Sequence, residues 1–395
     1  MIEELTRACV HCGFCLPTCP TYVLWSEEMD SPRGRIQLME KTAQGTLRLV
    51  PTVAEHFDRC LGCMACVSSC PSGVQYDRLI EETRATVEAQ HDRPRSERLQ
   101  RRLLFATLPH PRRMRLALRL APLGRRLPSP AWARPMLDLA PQWRSTEQPA
   151  AFTPCAESTP EPRRVGLLTG CVQSVVFGDV NAATARVLAA AGYDVAAPPQ
   201  GCCGALSAHA GRAAESARFG ESLRRSFDGV ETIVVNASGC GSHLKDHGFP
   251  ALDVTEALRD SDLAELHPLE LTVAYQDSCH LRHAQRLPAA WKPVLERIPG
   301  IRVVEPAEQD ICCGSAGIYN VVQPEAARAL GDRKAGHVLA AAPDAYASAN
   351  PGCLVQVAQA LGRAGCPLPA LHPVELLDAS IRGVGTADLL AQARR

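Results

Sequence analysis

The sequence contains no long apolar run. No stretch of 18 or more apolar residues occurs in its 395 positions, so we expect no helix that spans a membrane. Residues 1–5 also lack the apolar segment of a secretion signal, and we expect no signal there. The net charge is zero, and we expect no nucleic-acid partner.

The motifs of organic cofactors and of hydrolytic sites are absent as well. No G-x-G-x-x-G follows a strand, so the sequence carries no dinucleotide or flavin fingerprint. No nucleophile triad or pair of carboxylates can be picked out from the scattered His and Asp residues. We therefore expect no catalytic residue and no flavin- or NAD-binding residue on this chain. Hydride chemistry then requires a partner protein.

Cysteine is plentiful, with 18 residues, and its spacing is informative. A long chain with clustered cysteines and no secretion signal is unlike a disulfide scaffold. Two runs near the N-terminus have the same form, Cys9-x2-Cys12-x2-Cys15-x3-Cys19-Pro20 and Cys60-x2-Cys63-x2-Cys66-x3-Cys70-Pro71. This is the bacterial ferredoxin pattern for [4Fe–4S] clusters.

In this pattern the fourth cysteine of each run completes the cluster of the other run. The expected ligands are Cys9, Cys12, Cys15 and Cys70 for the first cluster and Cys60, Cys63, Cys66 and Cys19 for the second. A pair of structural zinc sites is the alternative. Thiolates that hold iron need a reducing compartment, so we expect a cytoplasmic protein. If residues 91–163 contact lipid, the protein would be peripheral on the inner face of the plasma membrane.

The first 163 residues are predicted to form a helical unit and a connector. Helix signals at residues 31–40, 51–59 and 76–90 predict an all-helical two-cluster ferredoxin domain over residues 1–90. Residues 91–163 are the connector, and residues 91–144 hold 13 arginines against three acidic residues. This charge suits either an anionic membrane or acidic partner, or a solvated helix. Residues 142–164 have the composition of a mobile linker, in which Cys155 is a bystander.

The remainder of the chain contains an internal repeat. Cys171, Cys202 and Cys240 have counterparts 108, 110 and 113 residues later at Cys279, Cys312 and Cys353. Short apolar strands precede the outer cysteines, and helical stretches are predicted over residues 179–191, 207–225, 284–297 and 324–341. Alternating strands and helices predict a duplicated parallel α/β cysteine-rich domain, with repeats over residues 164–260 and 270–395. The whole chain is thus predicted to be of the α + α/β class.

Each repeat offers four cysteines, including a Cys-Cys-Gly loop. They are Cys171, Cys202, Cys203 and Cys240 in the first repeat and Cys279, Cys312, Cys313 and Cys353 in the second. Strand ends are where open α/β sheets bind ligands, so a further iron–sulfur cluster at one or both repeats is our preferred hypothesis. Buried free thiols and a thiol–disulfide catalytic role are the alternatives.

The tandem Cys-Cys-Gly modules are similar to those of heterodisulfide reductase, and the whole chain resembles the iron–sulfur subunits of bacterial glycolate oxidase. The matching stretches are residues 9–22 (CVHCGFCLPTCPTY), 30–35 (DSPRGR), 201–206 (GCCGAL) and 312–317 (CCGSAG). Heterodisulfide reductase modules end in Cys-x-x-Cys, whereas this chain has His243 and Gln356 at the last position. Four thiolates per repeat, rather than five, remain for an ordinary cluster. A lone His such as His243 is more often polar surface than a ligand.

The resemblance implies an electron-transfer subunit without substrate chemistry of its own. FAD-containing partner subunits would oxidise glycolate to glyoxylate, and a quinone or another membrane acceptor would receive the electrons. The alternatives are the iron–sulfur subunit of a lactate or glycerol 3-phosphate dehydrogenase, a heterodisulfide-reductase-like thiol reductase, and an anchoring or regulatory cluster protein without electron flow.

Overall fold

The computed structural model describes residues 2–155, 162–263 and 265–393. Residues 2–90 contain six α-helices and a 3₁₀ turn at Glu28–Asp30, and no strand occurs among them. The helices are α1 (Ile2–Thr6), α2 (Pro20–Trp25), α3 (Pro32–Ala43), α4 (Pro51–Asp58), α5 (Ala65–Ser68) and α6 (Tyr76–Gln90). The helices predicted at residues 31–40, 51–59 and 76–90 are confirmed.

The local sequence determines where helix α3 begins and how closely it packs. The Ser31 hydroxyl caps the helix by accepting a hydrogen bond from the Gly34 amide at 3.0 Å, and Pro32 occupies the first helical position. Gly34 has no side chain, and a Cβ there would lie 1.9 Å from the Glu28 carbonyl oxygen. The buried face of α3 packs with α4 and α6 in a core that includes Met39 and Phe57.

The connector is helical over most of its length. It consists of α7 (Arg95–Thr107), α8 (Pro111–Arg126), a 3₁₀ turn (Ala131–Ala133) and α9 (Arg134–Leu139). Helix α8 buries Met114, Leu118 and Ala121 on one face, whereas Leu116 and Leu120 on the opposite face are exposed. The amphipathic helix predicted from the arginine-rich sequence is therefore present, and one of its two faces is packed against the protein.

The first repeat forms a five-stranded sheet in the order β1-β3-β2-β4-β5, in which only β1 is antiparallel. Its strands are β1 (Phe152–Thr153), β2 (Arg163–Leu168), β3 (Tyr193–Ala196), β4 (Ile233–Val235) and β5 (Ala251–Asp253). Its helices are α10 (Gln173–Val176), α11 (Gly178–Ala190), α12 (Ala205–His209), α13 (Ala213–Ser226), α14 (Ser238–Asp246) and α15 (Val254–Leu258).

The second repeat forms a four-stranded parallel sheet in the order β7-β6-β8-β9. Its strands are β6 (Leu271–Tyr275), β7 (Ile301–Val304), β8 (Ala345–Ala347) and β9 (Ala370–Leu371). Its helices are α16 (Lys292–Leu295), α17 (Tyr319–Val322), α18 (Pro324–Ala340), α19 (Pro351–Arg363), α20 (Pro373–Ile381) and α21 (Thr386–Ala393), with a π-helical turn at His280–Ala284. This order matches β3-β2-β4-β5 of the first sheet, as the repeat predicts. One hydrophobic core, which includes Leu167 and Tyr275, joins both repeats.

Three local predictions were wrong. The described part of residues 142–164 is not a free linker, because its residues 152–153 form β1 against β3 and the Glu147 amide donates to Asp179 at 2.6 Å; residues 156–161 of that stretch lie outside the described residues. The helix predicted over residues 207–225 is broken at Gly211, where φ is +79°. Residues 284–297 contain only the short α16 and part of the π-helical turn, because Pro288 interrupts them.

Among the helices of the described ranges, none combines the length and the apolar character that crossing a bilayer requires.

Candidate iron–sulfur sites

The two N-terminal cysteine runs have the same backbone conformation. The residue before the second cysteine is left-handed in both, with φ of +54° at His11 and +64° at Gly62. The residue after that cysteine is also left-handed, with φ of +88° at Gly13 and +64° at Met64. Two left-handed residues around one cysteine curl each loop tightly, and such a loop can direct three thiols toward one centre.

Two separate cavities gather the N-terminal thiols. The first is lined by Cys9, Cys12, Cys15, Cys70 and also Cys66. The second is lined by Cys19, Cys60, Cys63 and Cys66. The structure therefore places each Cys-Pro cysteine beside the other run, which is the crossed arrangement that the spacing predicts.

The grouping of these side chains also bears on the zinc alternative. Among the described residues, no three His, Cys, Asp or Glu side chains are grouped closely enough to bind one metal ion. A structural zinc ion needs four ligands at about 2.0–2.3 Å from a single centre. An iron–sulfur cube instead takes its thiolates at separate corners.

The thiol of Cys60 lies in a positively charged, donor-rich environment. Burial opposes ionisation, but the guanidinium groups of Arg35 and Arg84 outweigh it and lower the pKa of Cys60. The Gly62 amide and the Tyr76 hydroxyl donate hydrogen bonds to its Sγ at 3.4 and 3.6 Å. By contrast, burial raises the pKa of Cys66 well above its ordinary value. Such a thiol becomes a thiolate only when a cation or a cluster binds it.

Replacing Tyr76 with Phe removes one of these donors and preserves the ring. A hydrogen bond to a ligand sulfur favours the reduced cluster, so the potential of the second cluster should fall in Tyr76→Phe. A bond of about 1 kcal/mol corresponds to roughly 40 mV for one electron. Redox titration followed by paramagnetic resonance measures this shift, and Tyr193→Phe, whose hydroxyl binds the Ala257 carbonyl, is the control. Equal potentials in Tyr76→Phe and wild type would rule out this tuning role.

In the first repeat the four cysteines form a chain of neighbouring thiols. Cys171 and Cys202 are 3.4 Å apart at Sγ, and the Cys203 thiol lies close enough to those of Cys202 and Cys240 for both to affect its pKa. The hydrogen bond to Cys202 and burial raise the pKa of Cys171. Gly204 ends the loop with φ of +98°, where a Cβ would lie 2.9 Å from the carbonyl oxygen of Ser216, so glycine is required there.

The second repeat reproduces this arrangement. The Sγ atoms of Cys279 and Cys312 are 3.8 Å apart, and those of Cys313 and Cys353 are 3.3 Å apart. Gly314 has φ of +90°, and a Cβ there would lie 2.6 Å from the Ala327 carbonyl oxygen. A buried lysine, Lys334, lies close enough to the Cys-Cys pair for its charge to favour thiolates. Both repeats therefore bring all four of their predicted cysteines together.

The positions that replace the fifth cysteine are buried and already hydrogen-bonded. The expectation that His243 is polar surface was wrong, because it is 6% exposed and its Nε2 lies 3.3 Å from the Ser216 hydroxyl. Burial lowers the pKa of His243 to about 4. Gln356 donates to the Ala327 carbonyl at 2.7 Å. Their partners fix both side chains in the packing around the Cys-Cys-Gly loops.

The second N-terminal cavity adjoins the second repeat. Cys63 is in one hydrophobic cluster with Cys312, and its pKa is raised by burial and by the nearby Cys279. The Ser68 hydroxyl lies 2.7 Å from Nδ1 of His283. Within the described chain, the thiols of the second N-terminal run therefore lie between those of the first run and those of the second repeat.

Several residues of these sites have no sequence signal. Arg84, Tyr76 and Lys334 belong to no motif, and only tertiary packing places them beside the thiols. Arg35 ends the DSPRGR stretch, but nothing in that stretch indicates that it lies beside Cys60. His209 is a further case, because both of its buried ring nitrogens have no hydrogen-bond partner among the described residues.

Two family models match the chain. A 4Fe–4S dicluster domain matches residues 6–74. A cysteine-rich domain matches twice, at residues 165–245 and 273–358. Both matches coincide with the thiol sets described above.

Relatives match over nearly the whole length. The probable glycolate oxidase iron-sulfur subunit of Bacillus subtilis is 35% identical over 98% of this chain and 93% of its own. The glycolate oxidase iron-sulfur subunit of Escherichia coli is 35% identical over 91% of each chain. Lactate utilization protein A of Oceanobacillus iheyensis is 27% identical over 56% of this chain and 98% of its own. The fold is similar to that of a hypothetical protein from Helicobacter pylori (TM-score 0.51, 10% identity, 91% of this chain and 69% of that one).

Proposed function

Because the chain belongs to the family of glycolate oxidase iron–sulfur subunits, we propose that it is the electron-transfer subunit of a complex that oxidises glycolate to glyoxylate. The observation that carries the proposal is that each of two N-terminal cavities is lined by the four thiols expected to hold one cluster. A [4Fe–4S] cluster bound there would supply one-electron transfer. The described chain supports this with cysteine ligands and the charges around them, and it offers no motif for hydride chemistry.

The lining of the two cavities supports the ligand sets expected from the cysteine spacing, although Cys66 lines both cavities. Cys9, Cys12, Cys15 and Cys70 would hold one cluster, and Cys60, Cys63, Cys66 and Cys19 the other. The four thiols of each repeat would hold a further cluster. Residues 1–90 would form the all-helical ferredoxin domain, residues 91–163 the connector, and residues 164–260 and 270–395 the two repeats. The helices α1–α6 and the matching strand orders of the two sheets support this division.

The partners would be FAD-containing dehydrogenase subunits. The sequence has no flavin fingerprint, so the isolated, iron-loaded chain should reduce no dye with glycolate, lactate or glycerol 3-phosphate. Adding the flavin subunits should start turnover with glycolate. Oxidation of any of these substrates by the chain alone would show an active site on it and would refute the division of labour.

The connector would place the protein on the inner membrane surface. Leu116, Leu120 and Leu123 of α8 are 59%, 55% and 57% exposed, and Arg112, Arg119 and Arg126 are exposed on the same face. A helix of this kind suits an anionic lipid surface. Peripheral attachment would bring the chain to a membrane quinone, its expected acceptor.

We expect salt-sensitive binding to anionic vesicles. Each basic residue near the surface contributes about 1 kcal/mol, so changing Arg112, Arg119 and Arg126 together to Gln should weaken binding roughly 100-fold at low salt. Co-sedimentation with phosphatidylglycerol vesicles at low and high salt measures this. The control changes Arg218, Arg225 and Arg328, which are exposed elsewhere. Binding that is insensitive to salt and to the α8 changes would contradict membrane attachment through α8, and the connector would then be only a solvated helix.

A lactate dehydrogenase complex is the second candidate. The similarity to lactate utilization protein A supports it, although that similarity covers only about half of this chain. Because the substrate is chosen by the flavin subunit, comparison of glycolate, lactate and glycerol 3-phosphate with the reconstituted complex decides among them.

A further inference from the structure

An apolar cavity of about 410 Å³ lies between the connector and the two repeats. Helices α7, α8 and α9 form one wall, which includes the buried side chains of Met114, Leu118 and Ala121. The opposite wall carries thiols of both repeats, namely Cys171, Cys202, Cys203, Cys240 and Cys279. A molecule in this cavity would therefore touch the proposed redox centres directly.

The lining restricts the chemistry of an occupant. Among the described residues that line the cavity, none is Asp, Glu, Lys or Arg. A nucleotide or a carboxylate would lose its hydration there without gaining a Lys or Arg counter-charge, which is costly. An uncharged, largely apolar molecule loses nothing by entering.

The cavity nevertheless contains polar groups without partners. Both ring nitrogens of His209 are buried and make no hydrogen bond to any described residue, and the same holds for Nε2 of His280. The two rings are in edge contact, with centroids 5.0 Å apart. Burial lowers the pKa of His209 well below its usual range, so its ring is neutral and can donate one hydrogen bond. Buried polar groups normally have a partner, and a carbonyl oxygen of a bound molecule would supply one.

We propose that this cavity binds a quinone, with its ring beside the thiols of the repeats and one of its carbonyls accepting a hydrogen bond from His209. A quinone is uncharged and largely apolar, and its carbonyls are the acceptors that His209 lacks. Helix α8 forms the cavity wall with one face and exposes leucines on the other. A lipid-soluble ligand could therefore reach the cavity from a membrane on which that face rests.

The acceptor role of this quinone rests on the proposed function. Oxidation of glycolate to glyoxylate releases two electrons and two protons. Reduction of the quinone to its quinol converts both ring carbonyls to hydroxyls and consumes two electrons and two protons. The electrons come from glycolate by way of the flavin partner and the iron–sulfur centres, and the protons are exchanged with water, so the overall reaction balances.

The test measures binding of decylubiquinone to the full-length, iron-loaded chain without flavin subunits. Ala121→Phe fills the cavity and should weaken binding at least tenfold, whereas Ala131→Phe, on the exposed turn after α8, should bind as wild type does. His209→Phe keeps an aromatic ring and removes the hydrogen-bond donor, so it should weaken binding about tenfold, and His209→Gln should recover part of the loss.

Photolabelling with an azidoquinone should mark α8, α9 and the segment around His209. Iron content confirms that each variant is folded.

Labelling elsewhere, or wild-type affinity in both iron-replete Ala121→Phe and His209→Phe, would overturn the quinone site. The proposed function is tested separately by reduction of a water-soluble dye by the wild-type complex. Failure of that assay would refute the electron-transfer role, and the binding measurements would still decide whether the cavity takes a quinone.

Discussion

The Cys19→Ser variant is expected to lose the cluster of the second cysteine run and to keep that of the first. Cys19 lines the cavity of Cys60, Cys63 and Cys66, although it is only four residues from Cys15. Serine is a poor ligand for iron, so about four irons per chain should be lost. Iron and acid-labile sulfide analysis of protein prepared without oxygen measures the loss, and paramagnetic resonance identifies the cluster.

The reciprocal variant and a neutral one complete this experiment. Cys70→Ser should instead disturb the cluster of Cys9, Cys12 and Cys15, since Cys70 lines their cavity. Cys366→Ser changes an exposed thiol that lines neither cavity and should leave the iron content unchanged. Selective loss of the first cluster in Cys19→Ser would mean that each run holds its own four-cysteine cluster.

The full-length protein is expected to hold more than the eight irons of its N-terminal clusters. Four closely spaced thiols cannot all ionise without a compensating charge. The hydrogen bond to Cys313 together with burial raises the pKa of Cys353 well above its usual value. A bound iron–sulfur cluster would supply that compensation. Cys202→Ser should remove iron from the first repeat, and Cys312→Ser should remove it from the second.

The same analysis of iron and sulfide, with Cys366→Ser as the control, measures these losses. A wild-type protein that holds only about eight irons would contradict the expectation. The repeats would then be a docking platform for the flavin subunits, and the N-terminal domain alone would carry electrons.

The sequence predicted best what depends on local spacing. The distances between cysteines indicated which thiols belong together, and the structure gathers the members of all four sets. Ser31 and Pro32 predicted the beginning of α3 because capping involves only neighbouring residues. The repeat offsets predicted two sheets of the same strand order, since duplicated sequence folds in the same way.

Features that depend on distant contacts could not be predicted. The break between α12 and α13 at Gly211 arises where the backbone meets helix α6, and a Cβ there would lie 2.3 Å from the Arg84 carbonyl oxygen. Strand β1 exists because β3 offers it a free edge. His243 looked like an isolated histidine, and only the packing of the first repeat buries it. His209 had no sequence signal, and tertiary packing alone shields its ring nitrogens from solvent. The apolar cavity likewise requires the connector to fold over both repeats.

The most direct test of the central claim is rapid mixing of the reconstituted complex with glycolate in the absence of oxygen. Paramagnetic resonance on samples frozen at successive times follows the clusters bound to this chain. If the chain is the electron-transfer subunit, its clusters become reduced at least as fast as the complex turns over, and they stay oxidised when the flavin subunits are omitted. Glyoxylate formation at full rate while these clusters remain oxidised would contradict the account.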